Sequence, residues 1–331
     1  MTTSTVRIGL IGAGRWGKHY ISTLLSLGPR CRLTHVATSK PANAALVPYP
    51  VEVVADWRKM LESDCEAVII ATPAPTHAAI VEACLEAGKP CMVEKPFCLD
   101  VTTAERLHRL AQATATPVLV DHLQLFNPAY QALKRAIHGG QERMHLLLSE
   151  GMALGPFRTQ APTVWEWCPH DVSLCVDLIG QLPARVSALG GPADSQGAPE
   201  LISLRLDFPS GVCAWIQAGR LVLQKRRNLS VFTDRHLYLF DDTAVEKLTV
   251  SPFCLTDREA TVGPCVLEKR GVPIASERRP LANAVSYFLD GLQGGDRHYF
   301  GTAFALEVTR VLAQCETALQ EGGAVRPAVM V

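Results

Sequence analysis

The sequence predicts an α/β protein with two domains, a doubly wound parallel sheet followed by an α+β domain whose large sheet is mainly antiparallel. Up to about residue 125, short apolar strands alternate with helical repeats, and after residue 200 apolar and polar residues alternate one by one. The 331 residues of the chain also exceed the roughly 250–300 at which a single hydrophobic core stops growing. We therefore place the domains at residues 1–124 and 125–331.

The first domain repeats a strand-helix unit. The run 6–11 is rich in β-formers, and apolar residues then recur at helical spacing until Gly28. Further strands are predicted at 33–38, 67–71, 91–94 and 117–120, and further helices at 76–87 and 102–112, the last beginning with a capping box from Thr102 to Glu105. Strands that are apolar throughout indicate a parallel sheet covered on both faces.

The second domain follows a different pattern. Asn127 and Pro128 are typical of a helix start, and the helix they open is expected to end at Gly139. Alternating runs predict antiparallel strands at 202–208, 212–217, 229–233 and 237–240. We expect helices at 171–179, 281–292 and 303–319 to cover one face of that sheet.

Composition excludes several classes of protein. The 32 basic and 32 acidic residues balance and the sequence pI is about 7.1, so we expect neither a nucleic-acid partner nor an anionic membrane. No apolar run approaches the roughly 20 residues of a membrane helix. The 11 cysteines form no Cys-x-x-Cys pair, so we predict no metal site and a reducing, cytoplasmic location.

A glycine-rich turn joins the first strand to the first helix. It reads Gly12-Ala13-Gly14-Arg15-Trp16-Gly17. The first glycine allows a tight turn, the second lets the backbone approach a pyrophosphate, and the third lets helix and strand pack closely. Since the helix N-terminus adds free N–H groups and a positive dipole end, the turn predicts a Rossmann domain that binds a dinucleotide, the alternative being a turn made for steric reasons alone.

The end of the second strand bears on which dinucleotide binds. An Asp or Glu about 20 residues after the glycines would bind the ribose hydroxyl of NAD, but the first acidic residue of the chain is Glu52. Instead Thr38, Ser39 and Lys40 follow the strand, and Arg15 lies in the glycine turn. Two hydroxyls and two cations suit the 2′-phosphate of NADP, which we favour; the alternative is NAD bound without an acidic anchor.

Two proline motifs end predicted strands, where ligands bind in open α/β sheets. They are Ala71-Thr72-Pro73, followed by Thr76 and His77, and Glu94-Lys95-Pro96. A residue before proline is held out of the helical conformation, so Thr72 and Lys95 are expected to face the crevice. Lys95 would donate to a carbonyl or alkoxide oxygen, or would merely form an ion pair with Glu94.

A carboxylate and an imidazole are spaced for one helix face. Glu166 and His170 are four residues apart, so they lie within mutual reach if the helix begins by Glu166. A carboxylate beside an imidazole raises its basicity and fixes its orientation, as a general acid or base requires. The alternative is that His170 and Asp171 simply cap a helix start. Arg158, Trp165, Trp167 and Arg220 are further candidates for the pocket lining.

These motifs, in this order, together resemble the Gfo/Idh/MocA oxidoreductases, the family of glucose-fructose oxidoreductase and inositol dehydrogenase. The resemblance implies that His170 takes the substrate hydroxyl proton, that Glu166 stands for the usual Asp beside it, and that Lys95 positions the substrate. The chain departs from the family pattern at Glu166, at Cys168 where glycine is common, and at Ser173 where an acid often stands. The cofactor-binding residues predicted from the turn and the motifs are Gly12, Ala13, Gly14, Arg15, Trp16, Gly17, Thr38, Ser39, Lys40, Ala71, Thr72, Pro73, Thr76, His77, Glu94 and Lys95.

The predicted activity is hydride transfer between NADP or NAD and a secondary alcohol or ketone of a sugar, nucleotide sugar or cyclitol. Two alternatives remain: an enzyme that recycles a tightly bound cofactor, as in sugar-sugar oxidoreductases or nicotinamide-dependent glycosidases, and a cofactor-binding protein without catalysis. The antiparallel sheet should expose Trp215, Leu237 and Leu239, so we expect a homodimer or homotetramer formed through it.

Overall fold

The structure, a computed structural model, describes residues 5–45, 47–157, 161–195, 197–252, 268–296, 298–299, 301–322 and 326–327. The chain forms two compact units. The first comprises Met1–Leu123 and Arg279–Thr309, and the second Gln124–Arg278 and Arg310–Val331. Arg158, which the sequence analysis considered for the pocket lining, lies outside the described residues.

The first unit contains a parallel sheet of six strands in the order β3-β2-β1-β4-β5-β6. From β1 the chain adds strands β2 and β3 on one side and then β4, β5 and β6 on the other. The order of the strands thus reverses between β1 and β4, where a crevice opens at the carboxyl edge of the sheet. The strands are β1 (Val6–Ile11), β2 (Cys31–Ala37), β3 (Glu52–Val54), β4 (Ala67–Ile70), β5 (Cys91–Glu94) and β6 (Val118–Asp121). This arrangement confirms the predicted doubly wound sheet; only the short β3 was not predicted.

Three helices of the first unit begin and end near their predicted limits, namely α1 (Arg15–Ser26), α4 (His77–Glu86) and α5 (Val101–Thr114). The short helices α2 (Pro41–Ala44) and α3 (Lys59–Glu62) were not predicted. The predicted capping box of α5 is wrong, because Asp100 is the N-cap and its carboxylate accepts a hydrogen bond from the Thr103 N–H at 2.7 Å. Asp caps a helix as well as Thr does, and the cap of α5 therefore lies two residues before the predicted one.

The chain returns to the first unit near its end, through α8 (Pro280–Leu292) and the start of α9 (Ala303–Gln320). Helix α8 packs on α1, where Arg30 pairs with Asp290. The Gly301 N–H donates to the Val118 carbonyl at 2.7 Å. Residues 279–309 therefore differ from the sequence-based division, which assigned them to the second domain as helices over its sheet.

The apolar core of the first unit lies between the sheet and its helices. It includes buried residues of β4, β5 and β6, of α4 and α5, and of the start of α9. Val68, Val93 and Val120 contribute from the strands, and Leu306 contributes from α9. The core is thus completed by a segment almost 200 residues away from α5 in sequence.

The second unit contains a sheet of nine strands among its described residues, in the order β14-β13-β12-β11-β7-β10-β9-β8-β15. All neighbouring pairs are antiparallel except β7 with β10. This confirms the predicted, mainly antiparallel sheet. Its strands are β7 (Met144–Leu154), β8 (Arg185–Gly190), β9 (Leu201–Asp207), β10 (Cys213–Gly219), β11 (Leu221–Thr233), β12 (His236–Asp241), β13 (Leu248–Pro252), β14 (Arg270–Gly271) and β15 (Arg326–Pro327).

Two further helices complete the second unit. Helix α6 (Pro128–Gly139) has the predicted cap, since Asn127 Oδ1 accepts from the Ala129 N–H at 3.1 Å. Helix α7 (Thr163–Ile179) packs on β7 and β10. It begins eight residues before its predicted start and runs through Pro169, whose missing N–H would otherwise bond to the carbonyl four residues back.

In the part of the chain that the structure describes, no helix is both long and apolar enough to cross a bilayer. The same residues contain no group of three His, Cys, Asp or Glu side chains placed to hold a metal ion.

Candidate active site

The glycine turn is shaped by close backbone contacts. Gly12 has φ +100°, and its N–H donates to the Ala37 carbonyl at 2.9 Å. A Cβ on Gly12 would come within 2.7 Å of the Ala71 carbonyl oxygen, and a Cβ on Gly17 would overlap the Gly12 carbonyl. Side chains are therefore excluded at both positions by the protein itself, and at Gly12 the positive φ, which L-residues rarely adopt, excludes them as well.

Gly14 differs from the other two glycines. It is the N-cap of α1 with φ −72°, and a Cβ there would meet nothing within 4 Å. No side chain caps the helix, and α1, which is described in full, has no acidic residue in its first turn. Unused N–H groups, a positive dipole end and open space beside Gly14 fit the pyrophosphate of a dinucleotide.

The remaining residues of the turn have distinct surroundings. Ala13 is buried, Trp16 is half-buried against the edge of His19, and Arg15 is exposed. An exposed guanidinium at the mouth of the turn can reach a bound anion without losing an existing burial contact.

The end of β2 exposes the polar residues expected there. Thr38 is half-buried, and its N–H donates to the Val54 carbonyl at 3.0 Å. Its hydroxyl accepts from the Lys40 N–H at 3.3 Å. Ser39 and Lys40 are exposed, so the hydroxyl and the ammonium remain in solvent where a phosphate dianion could bind them.

The Ala71-Thr72-Pro73 segment is held by side chains of α4 and the turn before it. Thr76 Oγ1 donates to Thr72 Oγ1 at 2.7 Å. His77 is buried, with Nδ1 2.7 Å from the Pro96 carbonyl and Nε2 2.9 Å from the Thr72 carbonyl. His77 therefore ties the two proline motifs together through their backbones.

His77 has a defined charge state in this position. Burial lowers the pKa of its imidazole, although the two carbonyl contacts favour the protonated form. Burial is the largest of these effects and the nearby Lys95 charge adds to it, so His77 is neutral near pH 7 and donates to one carbonyl at a time. Both ring nitrogens contact backbone carbonyls of the protein, so His77 acts on the site by positioning Thr72 and Pro96.

Glu94 faces the interior of the first unit. Its carboxyl Oε1 lies 3.1 Å from the hydroxyl of Tyr20, a buried residue of α1, and the same hydroxyl lies 2.5 Å from Asp121 Oδ2. Burial raises the pKa of Glu94 to about 8 and that of Asp121 to about 7. Sequence analysis missed Tyr20 and Asp121, and the only signal was an acid at the end of each of two neighbouring strands.

In the second unit, Glu166 lies in the first turn of α7 and His170 one turn later. The helix thus meets the condition for placing both side chains on one face. Arg220, which is only 2% exposed, has Nη1 3.4 Å from Glu166 Oε2 and is also paired with Glu200. Arg220 is thus anchored between two glutamates and holds Glu166.

Asp171 fastens α7 to the sheet. It is fully buried, and its carboxylate accepts from Ser149 Oγ at 2.7 Å and from Arg227 Nη1 at 3.0 Å. A Cβ on Gly151 would overlap this carboxylate, so the glycine makes room for it. The alternative in which Asp171 caps a helix start is wrong, because Asp171 lies in the middle of α7.

The two departures beside His170 are both buried. Cys168 forms no disulfide, and Ser173 Oγ donates to the His170 carbonyl at 2.9 Å. This bond spans three residues within α7, so Ser173 satisfies its hydroxyl locally.

The first unit thus brings the glycine turn, the end of β2 and both proline motifs to the carboxyl edge of one sheet. The second unit places Glu166, His170 and Arg220 around the first half of α7. Each group of residues belongs to a separate unit of the chain.

Comparisons with known proteins agree with this architecture. Residues 6–122 match the profile of the GFO_IDH_MocA family, described as an oxidoreductase family with an NAD-binding Rossmann fold. UDP-N-acetylglucosamine 3-dehydrogenase of Acidithiobacillus ferrooxidans is 28% identical over 237 residues, 69% of this chain and 71% of that protein. Inositol 2-dehydrogenase of Rhizobium meliloti is 30% identical over 229 residues, 65% of this chain and 69% of that protein.

A solved structure matches almost the whole chain. It comes from Magnetospirillum magnetotacticum MS-1 and carries only a provisional description as an oxidoreductase. It is 37% identical, has a TM-score of 0.83, and covers 94% of this chain and 100% of its own. The likeness therefore extends through both units.

Proposed function

The chain belongs to the Gfo/Idh/MocA family of nicotinamide-dependent oxidoreductases, and from that premise we propose that it transfers a hydride between NADP or NAD and a secondary alcohol or ketone of a sugar, nucleotide sugar or cyclitol. Family membership confirms the resemblance drawn from the motifs and the predicted class of enzyme, a dehydrogenase or reductase acting on CH–OH groups. The substrate class is proposed because one relative acts on UDP-N-acetylglucosamine and another on inositol.

The N-terminus of α1 carries this proposal. It has unused N–H groups, no side-chain cap and open space at Gly14, whereas Gly12 and Gly17 are closed by the protein's own backbone. A glycine required only for packing would meet atoms of the protein, as those two do. Open space at the one glycine that faces a positive helix end is what a bound pyrophosphate needs.

We propose NADP as the preferred cofactor. The exposed Ser39 and Lys40 at the end of β2, with the exposed Arg15, supply two cations and a hydroxyl for a 2′-phosphate. Lys40→Ala should weaken NADP binding roughly 10-fold, by analogy with the loss of one charge-assisted contact, and leave NAD binding unchanged. Calorimetric titration of both cofactors measures this, and equal affinity of the wild-type protein for NAD and NADP would contradict the preference.

The catalytic roles are proposals as well. When bound, the nicotinamide supplies the hydride acceptor or donor. His170 accepts the hydroxyl proton, or returns it in the reverse direction, while Lys95 stabilises the negative charge that develops on the substrate oxygen. Glu166, held by Arg220 at 3.4 Å, orients and supports the imidazolium from one helical turn away.

Turnover with a substrate panel tests these roles. Wild-type protein is assayed with sugars, nucleotide sugars and cyclitols by the absorbance of the reduced nicotinamide. Lys95→Met should lower kcat at least 100-fold, within the range expected for one preorganised charge, with cofactor affinity nearly unchanged. The matched control is Lys59→Met, at an exposed lysine of α3. Unchanged turnover of the Lys95 variant would remove Lys95 from the mechanism.

We also propose that the sheet of the second unit binds a second copy of the chain. Trp215 of β10 pairs in register with Leu148 of β7, and Leu239 of β12 lies on the same row across β11. Trp215 is 45% exposed and Leu148 37%, whereas Leu239 is half-buried and is separated from Leu148 by Ser230 of β11. Large apolar side chains exposed side by side on one sheet face are typical of an interface. Trp215→Asp should shift the mass measured by light scattering toward the monomer, whereas Val245→Asp, at an exposed turn, should not. A monomeric wild-type protein would refute the interface.

A further inference from the structure

We propose that Glu94 is a positioning residue that stays protonated at neutral pH, sharing one proton with Asp121 across the Tyr20 hydroxyl, so that Lys95 keeps its positive charge uncompensated by its sequence neighbour. The part of this proposal that concerns Lys95 rests on the proposed hydride transfer. The part that concerns the proton rests only on the geometry of the first unit.

The three groups meet because of the sheet register. Glu94 and Asp121 are the last residues of β5 and β6 and lie directly opposite one another in the parallel pairing. Tyr20 reaches them from α1, which crosses the same end of the sheet. Tyr20 is fully buried, Asp121 is 1% exposed and Glu94 is 6% exposed. Two ionised carboxylates would therefore lack solvation by water here, which makes it unfavourable for both acids to be charged.

The two contacts of the Tyr20 hydroxyl need one more proton than the phenol supplies. A phenol carries one hydrogen, yet the Tyr20 oxygen lies 2.5 Å from Asp121 Oδ2 and 3.1 Å from Glu94 Oε1. If both acids were ionised, one contact would bring two lone pairs together. Both contacts become hydrogen bonds when Tyr20 donates to Asp121 over the shorter distance and protonated Glu94 donates to the Tyr20 oxygen over the longer one.

The titratable groups around Glu94 agree with this assignment. The pKa of Glu94 is raised to about 8, chiefly by burial and then by the Asp121 charge, and this is the net result after Lys95 and Tyr20 have lowered it. The pKa of Asp121 is raised to about 7, also by burial. His77 of α4 is neutral in this region, and its pKa is lowered by burial and by Lys95. The pair thus holds one proton between its two acids at neutral pH.

A protonated Glu94 has a chemical consequence at the next residue. The carboxyl group that directly precedes Lys95 in sequence is neutral, so it does not offset the positive charge that the lysine directs toward the substrate oxygen. Ionising Glu94 at higher pH would offset that charge. Tyr20 also joins α1, the helix that begins at the glycine turn, to β5, the strand that ends one residue before Lys95. Glu94 acts through Lys95 and is therefore a positioning residue.

Carbon-13 NMR of the full chain, labelled at glutamate Cδ and free of cofactor, tests the shared proton. Glu94→Gln identifies the Glu94 resonance by its disappearance. We expect that resonance to titrate near pH 8, while exposed glutamates titrate near their ordinary value of about 4.3. Two neighbouring variants should both lower the pKa of Glu94: Asp121→Asn by at least one unit, because the facing charge is removed, and Tyr20→Phe, because the oxygen that accepts from protonated Glu94 is lost. Infrared difference spectra of the unmutated protein, read at the carboxylic acid C=O band, give the same answer if a variant fails to fold.

The kinetic arm tests the role toward Lys95. In the wild-type protein kcat should fall severalfold as pH rises through the Glu94 titration, and in Asp121→Asn the fall should move to lower pH by the shift that NMR measures. A cluster with only a structural role would not link the pH dependence of kcat to the pKa of Glu94. Titration of Glu94 within one unit of 4.3 would overturn the shared proton. A flat kcat profile across a measured Glu94 titration near pH 8 would overturn its role toward Lys95. Protein without turnover on any substrate would count against the proposed function alone, and the NMR titration would still decide the proton.

Discussion

Alanine at Gly14 and at Gly17 should have opposite consequences, and this pair separates a glycine required by a ligand from one required by packing. At Gly17 a new Cβ overlaps the Gly12 carbonyl oxygen and comes within 2.9 Å of its carbon. Both are backbone atoms, which cannot rotate away. Overpacking of this kind costs about 1 to 3 kcal/mol, which lowers Tm by about 2 to 12 °C for a domain of this size.

At Gly14 the same change meets open space, and φ −72° suits an L-residue. The stability of the cofactor-free protein should therefore stay constant or rise by about 0.4 to 1 kcal/mol, since alanine restricts the unfolded chain. The methyl group would instead occupy the space of the pyrophosphate. Loss of one hydrogen bond to a charged group, about 1.5 to 3 kcal/mol, weakens cofactor binding roughly 10- to 150-fold.

Differential scanning fluorimetry without cofactor and calorimetric titration with NADP and NAD measure the two effects on the same samples. Gly17→Ala should lose stability, and Gly14→Ala should lose affinity while keeping its Tm. Wild-type affinity in Gly14→Ala would refute the placement of a pyrophosphate at this helix end. A lower Tm in cofactor-free Gly14→Ala would refute the open space that the structure shows there.

Three further predictions concern stability. Gly151→Ala should lower Tm, because its methyl group overlaps the Asp171 carboxylate and separates a buried ion pair worth about 3 to 5 kcal/mol when broken; Gly139→Ala, where a Cβ meets nothing, is the control, and equal Tm values would contradict the reasoning. Lys89→Met should cost about 1 to 3 kcal/mol in urea unfolding, since Nζ donates to three backbone carbonyls at 2.7 to 3.3 Å; an unchanged midpoint would show that solvent replaces those bonds. Between pH 4.5 and 8 the folded Glu94 retains a proton that the unfolded chain releases, so stability should fall as pH rises through this window, by about 3 to 5 kcal/mol in total; Glu94→Gln should flatten that slope, and parallel Tm profiles for the two proteins would count against it.

Local features of the fold could be predicted from the sequence. The glycine turn, the strand-end prolines and the Asn127 cap each depend on a few consecutive residues whose backbone preferences are strong. The first helix and the parallel strands followed from apolar periodicity for the same reason. What these predictions share is that the deciding contacts lie within one turn or one strand of the residue concerned.

Features decided by distant pairing could not be predicted in this way. The strand β7 is rich in Leu and Met, which also favour helices, and it is a strand because β10 and β11 pair with it on both sides. The early start of α7 was hidden by Pro169, a residue that usually ends helices.

The candidate site divides along the same line. Residues of the turn and the motifs were found by their spacing, but the Tyr20, Glu94 and Asp121 cluster exists only because β5 and β6 are neighbours in register. Arg220 was recognised as a candidate for the pocket lining, but its two glutamate partners come from distant parts of the chain.

The contribution of residues 279–309 to the first unit also determines how this protein can be synthesised and truncated. Helix α8 and the start of α9 are synthesised late, after most of the second unit, yet Leu306 packs in the same core as Val68 and Val93. During synthesis the nucleotide-binding half must wait, with an apolar flank exposed, until the ribosome has passed residue 309. A fragment ending at residue 124 would leave the apolar surface that α9 covers permanently exposed to water. The two units of this enzyme should therefore be expressed and engineered as one polypeptide.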